Sequence, residues 1–199
     1  MIVAIILAAG ASTRMGRPKA LLPVEGTTFI ERIVRALDDT NVDRTLVVLG
    51  HNADAMRDAI AYLGVDTAVN PDFSRGQLSS LQAAIRALDG EPVDAILVHL
   101  VDHPFIDSAL VNRMIERFYA EGKLIVVPSF AGRRGHPVLF SSKLFPEFMS
   151  ASLETGAKPV VRGHPSETLE LETDEKGILV DIDTPEEYQK HVRSEKCPG

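Results

Sequence analysis

The sequence predicts a single-domain α/β protein, built as a three-layer α/β/α sandwich around a mostly parallel central sheet. An apolar run at 1–9 predicts a buried parallel strand, which is too short to span a membrane. Strand-like and helix-like segments then alternate along the chain, as they do in β-α-β units. The length of 199 residues, with 45% hydrophobic and 25% charged residues, fits one ordinary globular domain.

The remaining elements follow from hydrophobic periodicity and from helix-capping signals. Further strands are expected at 45–49, 65–69, 93–101, 124–127 and 138–140, and a closing strand at 178–182. Helices are expected at 30–37, 53–63, 78–88 and 110–118, with a last helix capped by Thr184 and Glu187. We expect the domain to cover 1–193 and the tail at 194–199 to be frayed.

Composition and charge exclude several classes of function. The net charge of −7 argues against nonspecific nucleic-acid binding. One cysteine, Cys197, rules out an internal disulfide and a cysteine-rich metal site. The sequence contains no recognisable signal peptide or membrane span, so we expect a cytoplasmic protein with no membrane partner.

The loop after the first strand combines small residues with two cations. Gly10 ends the apolar run, and Arg14 and Lys19 follow. Small side chains let backbone N–H groups approach a ligand, and strand-end loops are where open α/β sheets bind ligands. The glycine spacing fits neither a P-loop nor a dinucleotide fingerprint, and Pro18 and Pro23 argue against a helix. We therefore expect an extended basic loop that lies over an anionic ligand.

Two aspartates stand where carboxylates can face a ligand crevice. Asp102 ends the strand at 93–101, and Asp107 and Ser108 are better placed than Asp102 to cap the following helix. Asp183 directly precedes the Thr184 cap. Asp181 is expected on the other face of the closing strand and is the weaker candidate.

Histidines and serines near these positions have ordinary structural explanations. The four-residue spacing of His99 and His103 runs along a strand and offers no third ligand, so zinc is not expected and His99 is interpreted as structural. Ser79 and Ser80 open a helix, where serine is a common cap, and from the residues alone capping and ligand binding remain equally open.

Leu7-Ala8-Ala9-Gly10-x3-Arg14-Met15-Gly16-x2-Lys19 resembles the signature of the MobA-like nucleotidyltransferases, most closely the molybdenum cofactor cytidylyltransferase branch. The resemblance implies a Rossmann-like fold of the nucleotide-diphospho-sugar transferase type. It also implies transfer of CMP from CTP to the phosphate of molybdopterin, with Mg²⁺ as cofactor and a molybdoenzyme or its chaperone as a further partner.

The resemblance also implies roles for particular residues. Arg14 and Lys19 would be catalytic, Asp102 and Asp183 would bind the metal, and His136 and Lys158 would contact the acceptor. The nucleotide-binding positions are Leu7, Ala8, Ala9, Gly10, Gly76, Gln77, Ser79 and Ser80. Three positions depart from the family pattern: His103 replaces a frequent glutamine, Glu154 a usual aspartate and Lys158 a usual arginine.

There are four alternatives to this function. The acceptor could be another small phosphorylated molecule, or the nucleotide could be GTP, although Ala9 fits the CTP-using branch and its methyl group could crowd a purine. The chain could also be a non-catalytic carrier of molybdenum cofactor, but its intact Arg14, Lys19, Asp102 and Asp183 favour an enzyme. A Rossmann oxidoreductase is disfavoured because the glycine spacing is wrong.

Overall fold

The computed structural model describes residues 1–193, so the tail that we expected to be frayed, including Cys197, lies outside the described residues. The strands in this part of the chain are β1 (Ile2–Leu7), β2 (Pro23–Val24), β3 (Thr27–Thr28), β4 (Arg44–Leu49), β5 (Asp66–Val69), β6 (Ala95–Leu100), β7 (Ile125–Phe130), β8 (Arg133–Arg134), β9 (Val138–Ser141) and β10 (Thr168–Glu172). The helices are α1 (Phe29–Asp38), α2 (Ala53–Ile60), α3 (Gln77–Ala87), α4 (Ser108–Glu121), α5 (Phe145–Ser150), α6 (Lys158–Gly163) and α7 (Pro185–Tyr188).

The central sheet has the strand order β10-β7-β9-β6-β1-β4-β5, and β8 pairs with β7. The pairs β1–β4, β1–β6, β4–β5 and β7–β10 are parallel. β9 runs antiparallel to both β6 and β7. The prediction of a mostly parallel sheet is therefore confirmed.

Both faces of the sheet are covered by helices, because the side chains of each central strand alternate between two apolar clusters. In β1, Ile2, Ala4 and Ile6 pack with the buried residues of α1, α2 and α4. The alternate residues Val3, Ile5 and Leu7 pack with α3, α5 and α6. This arrangement confirms the predicted α/β/α sandwich.

Several helix boundaries follow the signals in the sequence. The Asp107 side chain accepts a hydrogen bond from the Leu110 N–H at 2.6 Å and caps α4. That helix ends at Gly122, whose φ of 62° lies in the left-handed region that glycine adopts easily. Thr184 and Glu187 form the predicted reciprocal capping box at the start of α7.

The end of the chain departs from the predicted pattern. The expected closing strand at 178–182 is wrong: residues 176–179 form a tight helical turn, and the chain then runs extended beside the loop that follows β6. The strand β10 was missed, although its Thr-Leu-Glu-Leu-Glu sequence has the alternation of a half-buried strand. Within residues 1–193 the structure contains no helix long and apolar enough to cross a membrane.

The order of strands determines where a ligand crevice forms. From β1 the chain moves outward to β4 and β5, and it then returns to the other side of β1 as β6. Leu7 and Leu100, the last residues of β1 and β6, pair in register. In open α/β sheets, ligands bind outside the carboxyl ends of the strands where the strand order reverses. Here that place lies between the loop after β1 and the loop after β6.

Candidate active site

A cavity of about 250 Å³ opens at this edge of the sheet. One wall is the loop after β1, in which Ser12 (φ 50°) and Gly16 (φ 68°) adopt left-handed backbone conformations. The Ser12 hydroxyl accepts a hydrogen bond from the Lys19 N–H at 3.0 Å, which closes the loop on itself. The predicted cations Arg14 and Lys19 both line the cavity.

The four predicted ionic residues form one connected network. The Lys19 Nζ donates to Asp102 Oδ2 at 2.9 Å and also to Asp183 Oδ1. The Arg14 guanidinium donates to the other oxygen of Asp183 at 2.6 Å. Lys19, with 13% of its side chain exposed, is the most buried member, and Arg14, with 64% exposed, is the outermost. The network thus joins the loop after β1 to both carboxylates.

The ion pairs of the network keep Lys19 and Asp183 charged. Burial opposes the charge of Lys19, but its bonds to Asp183 and Asp102 outweigh burial and raise its pKa. Burial likewise acts to raise the pKa of Asp183, yet the bonds from Lys19 and Arg14 lower it overall. The nearby Asp181 forms no ion pair among the described residues, and partial burial and the neighbouring charges of Asp102 and Asp183 raise its pKa. Unlike Asp183, Asp181 is therefore a carboxylate whose negative charge is poorly compensated.

Backbone contacts fix the segment that carries Asp181 and Asp183. The Ile182 N–H donates to the Asp102 carbonyl oxygen at 2.9 Å, so the two aspartate-bearing segments run side by side. The Glu187 carboxylate accepts from the Asp183 N–H at 2.8 Å. These bonds make the capping box of α7 part of the support of the site.

Gly135 also supports this segment, because a side chain there would collide with it. A Cβ on Gly135 would lie 2.4 Å from the backbone oxygen of Ile178. The neighbouring His136 N–H donates to that same oxygen at 3.0 Å. The glycine that precedes His136 therefore allows the chain before Asp181 to pack directly on the backbone next to His136.

A second cavity of about 450 Å³ adjoins the first, and Leu7 lines both. Its walls are mainly apolar side chains of β6, β7, β9, α3 and α6. The predicted acceptor residues His136 and Lys158 lie in this cavity, together with Arg134 and Arg162. An apolar pocket with several cations suits a molecule that has an apolar body and an anionic group.

The predicted nucleotide-binding residues separate into three groups. Leu7, Ala8 and Gly10 line the first cavity, and Leu7 and Gln77 line the second. Ala9 is 5% exposed. A Cβ added to Gly50 would lie 2.8 Å from the Ala9 methyl carbon, so this methyl group packs against the glycine. Gly76 is the N-cap of α3 and lines neither cavity.

Ser79 and Ser80 form the third group, and their hydroxyls already have partners in the fold. The buried Asn70 donates from Nδ2 to Ser79 Oγ at 2.8 Å and to Ser80 Oγ at 3.0 Å. Ser79 in turn donates to the Gly76 carbonyl oxygen at 2.7 Å. The two serines are buried behind the start of α3, and a direct role in nucleotide binding remains a prediction.

Asp102, His103 and Asp181 form a cluster of possible metal ligands that the sequence analysis did not assemble. One ligand atom of each lies within 4.8 Å of the others. The buried Oδ1 of Asp102 and Nδ1 of His103 have no hydrogen-bond partner among residues 1–193. Asp181 was ranked as the weaker candidate because it was assigned to the other face of a strand, but the segment is not a strand. Free carboxylate oxygens at this position fit a divalent cation.

Two further histidines support this region without reaching the first cavity. His99 is fully buried, and its Nε2 donates to the His103 carbonyl oxygen at 2.7 Å, as expected of a structural histidine. Burial lowers the pKa of His99 to about 3. The His136 ring packs on that of His103 with their centroids 5.0 Å apart, and burial lowers its pKa to about 4. Both rings are neutral at physiological pH.

Sequence reasoning also missed residues that line the cavities. His51, which follows β4 at the same carboxyl edge, lines the first cavity. Arg162, one turn after Lys158 in α6, lines the second. The strand-end rule that selected Asp102 applies equally to His51, whereas Arg162 carries no motif that distinguishes it from a solvent-exposed cation.

Comparison with known proteins identifies relatives along nearly the whole chain. The nicotine blue oxidoreductase of Paenarthrobacter nicotinovorans is 31% identical, and the alignment covers 95% of each chain. The molybdenum cofactor cytidylyltransferase of Escherichia coli is 30% identical, with 92% of each chain covered. The first relative is named as an oxidoreductase and the second as a transferase, which are different classes of enzyme.

A solved structure agrees closely in fold. Rv0371c of Mycobacterium tuberculosis is 30% identical, and its superposition has a TM-score of 0.85 and covers 97% of this chain and 98% of that protein. The same protein has also been solved in complex with manganese, with a TM-score of 0.78. The family model of the MobA-like NTP transferase domain matches residues 4–169. The chain therefore belongs to the MobA-like NTP transferase family, and it is a nucleotidyltransferase by family.

Proposed function

We propose that the protein transfers CMP from CTP to the phosphate of a molybdopterin-type acceptor and releases pyrophosphate. The observation that carries this proposal is the pair of cavities on either side of Leu7. One is ionic and is lined by Arg14 and Lys19, and the other is apolar with cations around it. A triphosphate and a ring-containing phosphorylated acceptor could then meet at their common wall.

In the proposed reaction, an oxygen of the acceptor phosphate forms a bond to the α-phosphorus of the nucleotide. The bond from that phosphorus to the α,β-bridging oxygen breaks, and pyrophosphate leaves with the negative charge. The acceptor phosphate is ionised near neutral pH, so this step requires no general base. The contribution of the protein is to align the reactants and to neutralise charge.

Arg14 and Lys19 have suitable positions for this work. Arg14, exposed at the mouth of the first cavity, would bind the β- and γ-phosphates, where charge develops. Lys19 lies deeper, beside Asp102, and would contact the α-phosphate and the attacking oxygen. A lysine held by two carboxylates stays charged as substrates enter, because these bonds raise its pKa.

Asp102 and Asp183 are the proposed carboxylates for Mg²⁺. The buried, unpartnered Oδ1 of Asp102 fits this function, since such an oxygen is suited to a cation. When bound, the ion would withdraw charge from the phosphate oxygens of the nucleotide. Rv0371c, 30% identical, has been solved with manganese, which supports a divalent ion in this family.

CTP is the proposed nucleotide because Leu7-Ala8-Ala9-Gly10 matches the pattern of the CTP-using branch. The molybdopterin-type acceptor is supported by the likeness to the E. coli cytidylyltransferase and by the second cavity. A molybdoenzyme or its chaperone would receive the product. His136 and Lys158 would contact the acceptor, His136 as a neutral ring and Lys158 as a cation at the start of α6.

The test is pyrophosphate release with Mg²⁺ and molybdenum-loaded molybdopterin, comparing CTP, GTP, ATP and UTP. Release with CTP alone supports the proposal, and release with GTP alone refutes the choice of nucleotide. Calorimetry should show nucleotide binding before any turnover is measured. Binding without release would refute this acceptor and favour another small phosphorylated acceptor or a carrier of the cofactor.

The oxidoreductase name of one relative supplies a candidate from a different class. Neither the glycine spacing of the first loop nor its two cations matches a dinucleotide fingerprint. Consumption of NADH or NADPH by the same protein preparation tests this candidate directly. We expect no consumption under conditions in which CTP supports pyrophosphate release.

A further inference from the structure

We propose that Asp102, His103 and Asp181 form a binding site with mixed nitrogen and oxygen ligands that takes first-row transition-metal ions in preference to Mg²⁺. The donor set shares Asp102 with the Asp102–Asp183 pair of the proposed reaction and adds His103 and Asp181 in place of Asp183. Metal binding by these three residues can be measured without nucleotide or acceptor. The metal-site proposal can therefore be tested independently of the proposed activity.

The geometry of the cluster suits one ion. A ligand atom of each residue lies within 4.8 Å of the other two. Two ligand atoms that each bond one ion at about 2.1 Å lie about 3.0 to 4.2 Å from each other, depending on the ligand–metal–ligand angle. Asp181 is the exposed member of the cluster, whereas His103 is buried.

The donor atoms are free to bind. His103 is 8% exposed, and its Nδ1 has no hydrogen-bond partner within residues 1–193. The same holds for the buried Oδ1 of Asp102, whose other oxygen bonds Lys19. Buried polar atoms in native proteins usually have partners, and Asp102 and His103 combine such unpartnered atoms with membership of the metal-ligand cluster.

Of the two carboxylates near Asp102, Asp181 is the one that can join this mixed site without breaking an ion pair of the described residues. Both oxygens of Asp183 accept bonds from cations, Oδ1 from Lys19 and Oδ2 from Arg14. Asp181 has no ion pair among the described residues, and its charge is opposed by the neighbouring carboxylates. A divalent ion can therefore bind Asp102 Oδ1 and Asp181 while Lys19 keeps its bridge to Asp183.

The imidazole determines which ions are preferred. Mg²⁺ prefers an octahedron of oxygens and binds nitrogen ligands poorly, whereas Co²⁺, Ni²⁺ and Zn²⁺ accept imidazole readily and bind mixed sites more tightly. The backbone of His103 is held by the bond from His99, and its ring packs against His136. The imidazole is thus held in place before the ion arrives.

The experiment measures binding of Mn²⁺, Co²⁺ and Mg²⁺ to the purified full chain by calorimetry, with pulsed electron paramagnetic resonance of the Mn²⁺ complex. We expect Co²⁺ to bind at least about tenfold more tightly than Mg²⁺. The Mn²⁺ spectrum should contain the nitrogen coupling of a bound imidazole. Absence of that coupling, or equal affinity for Co²⁺ and Mg²⁺, would overturn the proposal.

Variants assign the ligands. His103→Gln should remove the nitrogen coupling and the preference over Mg²⁺, and Asp181→Asn should weaken Co²⁺ binding about tenfold or more while it keeps the coupling. Because Asp181 is exposed, Asp181→Asn tests the site even if His103→Gln does not fold. Asp183→Asn should change Co²⁺ affinity much less than Asp181→Asn, and the reverse order would refute the assignment. The matched control, His164→Gln, replaces a histidine held by Glu147 and Glu167 and should keep both the coupling and the preference.

Discussion

Lys19 and Asp102 form an ion pair, with the ammonium nitrogen 2.9 Å from Oδ2, that joins the loop after β1 to the loop after β6. These loops leave neighbouring parallel strands where the strand order reverses. The pair is mostly buried, with 13% of the Lys19 side chain and 23% of the Asp102 side chain exposed. The cation and the carboxylate therefore organise each other before a ligand binds.

Replacing Lys19 should greatly reduce turnover and leave the fold intact. We expect Lys19→Ala to reduce turnover on the order of a hundredfold or more, because it removes the deepest cation of the first cavity. Turnover is measured as pyrophosphate release, and circular dichroism checks the fold. The matched variant Lys123→Ala, at a lysine that lines neither cavity, should keep normal turnover. Near-normal activity of Lys19→Ala would contradict the function assigned to it.

Replacing Asp102 should weaken binding of the metal ion. Asp102→Asn keeps the size of the side chain but removes its charge, so we expect Mg²⁺-dependent nucleotide binding to weaken about tenfold or more. Calorimetric titration of nucleotide at several Mg²⁺ concentrations measures this change. Glu154→Gln removes an exposed carboxylate that lines neither cavity and should leave the titration unchanged. An unaltered Mg²⁺ dependence in Asp102→Asn would exclude Asp102 as a ligand of the ion.

The sequence predicted the parallel core and the ionic residues because both depend on local signals. Runs of apolar residues specify β1 and β6, and Asp102 was recognised because it follows a strand and a better helix cap stands at Asp107. His103 and Asp181 were not brought together because their proximity depends on how the last segment packs. That packing depends on the Ile182–Asp102 backbone bond and on Gly135, which no local pattern reveals.

Gly135 offers a test of that packing. Gly135→Ala would bring a Cβ to 2.4 Å from the backbone oxygen of Ile178, so the segment that leads to Asp181 has to move. We expect a loss of about 1–3 kcal/mol in the free energy of unfolding, measured with urea. Gly163→Ala is the matched control, because an added Cβ there meets no described atom within 4 Å outside its chain neighbours and the backbone of its own helix. Equal stability of the two variants would show that the segment does not need the glycine.

The buried His99 should make stability depend on pH. Its pKa is lowered by burial to about 3 in the folded protein, below the ordinary value of 6.5 expected in the unfolded chain. Between these values the unfolded chain binds one more proton at this site, so the free energy of unfolding falls as pH falls. The slope for one proton is at most about 1.4 kcal/mol per pH unit, and this contribution is constant above the unfolded pKa.

The variant His99→Gln isolates this contribution. Its free energy of unfolding, measured with urea at several values between about pH 5 and pH 8, should fall less steeply on acidification than that of the unmodified protein. His136 contributes with the same sign, because burial also lowers its pKa, and His164 contributes with the opposite sign, because Glu147 and Glu167 raise its pKa. Both residues are present in the two proteins being compared, so their effects cancel in the difference. Parallel curves would mean that His99 gains a proton as readily in the folded protein as in the unfolded chain.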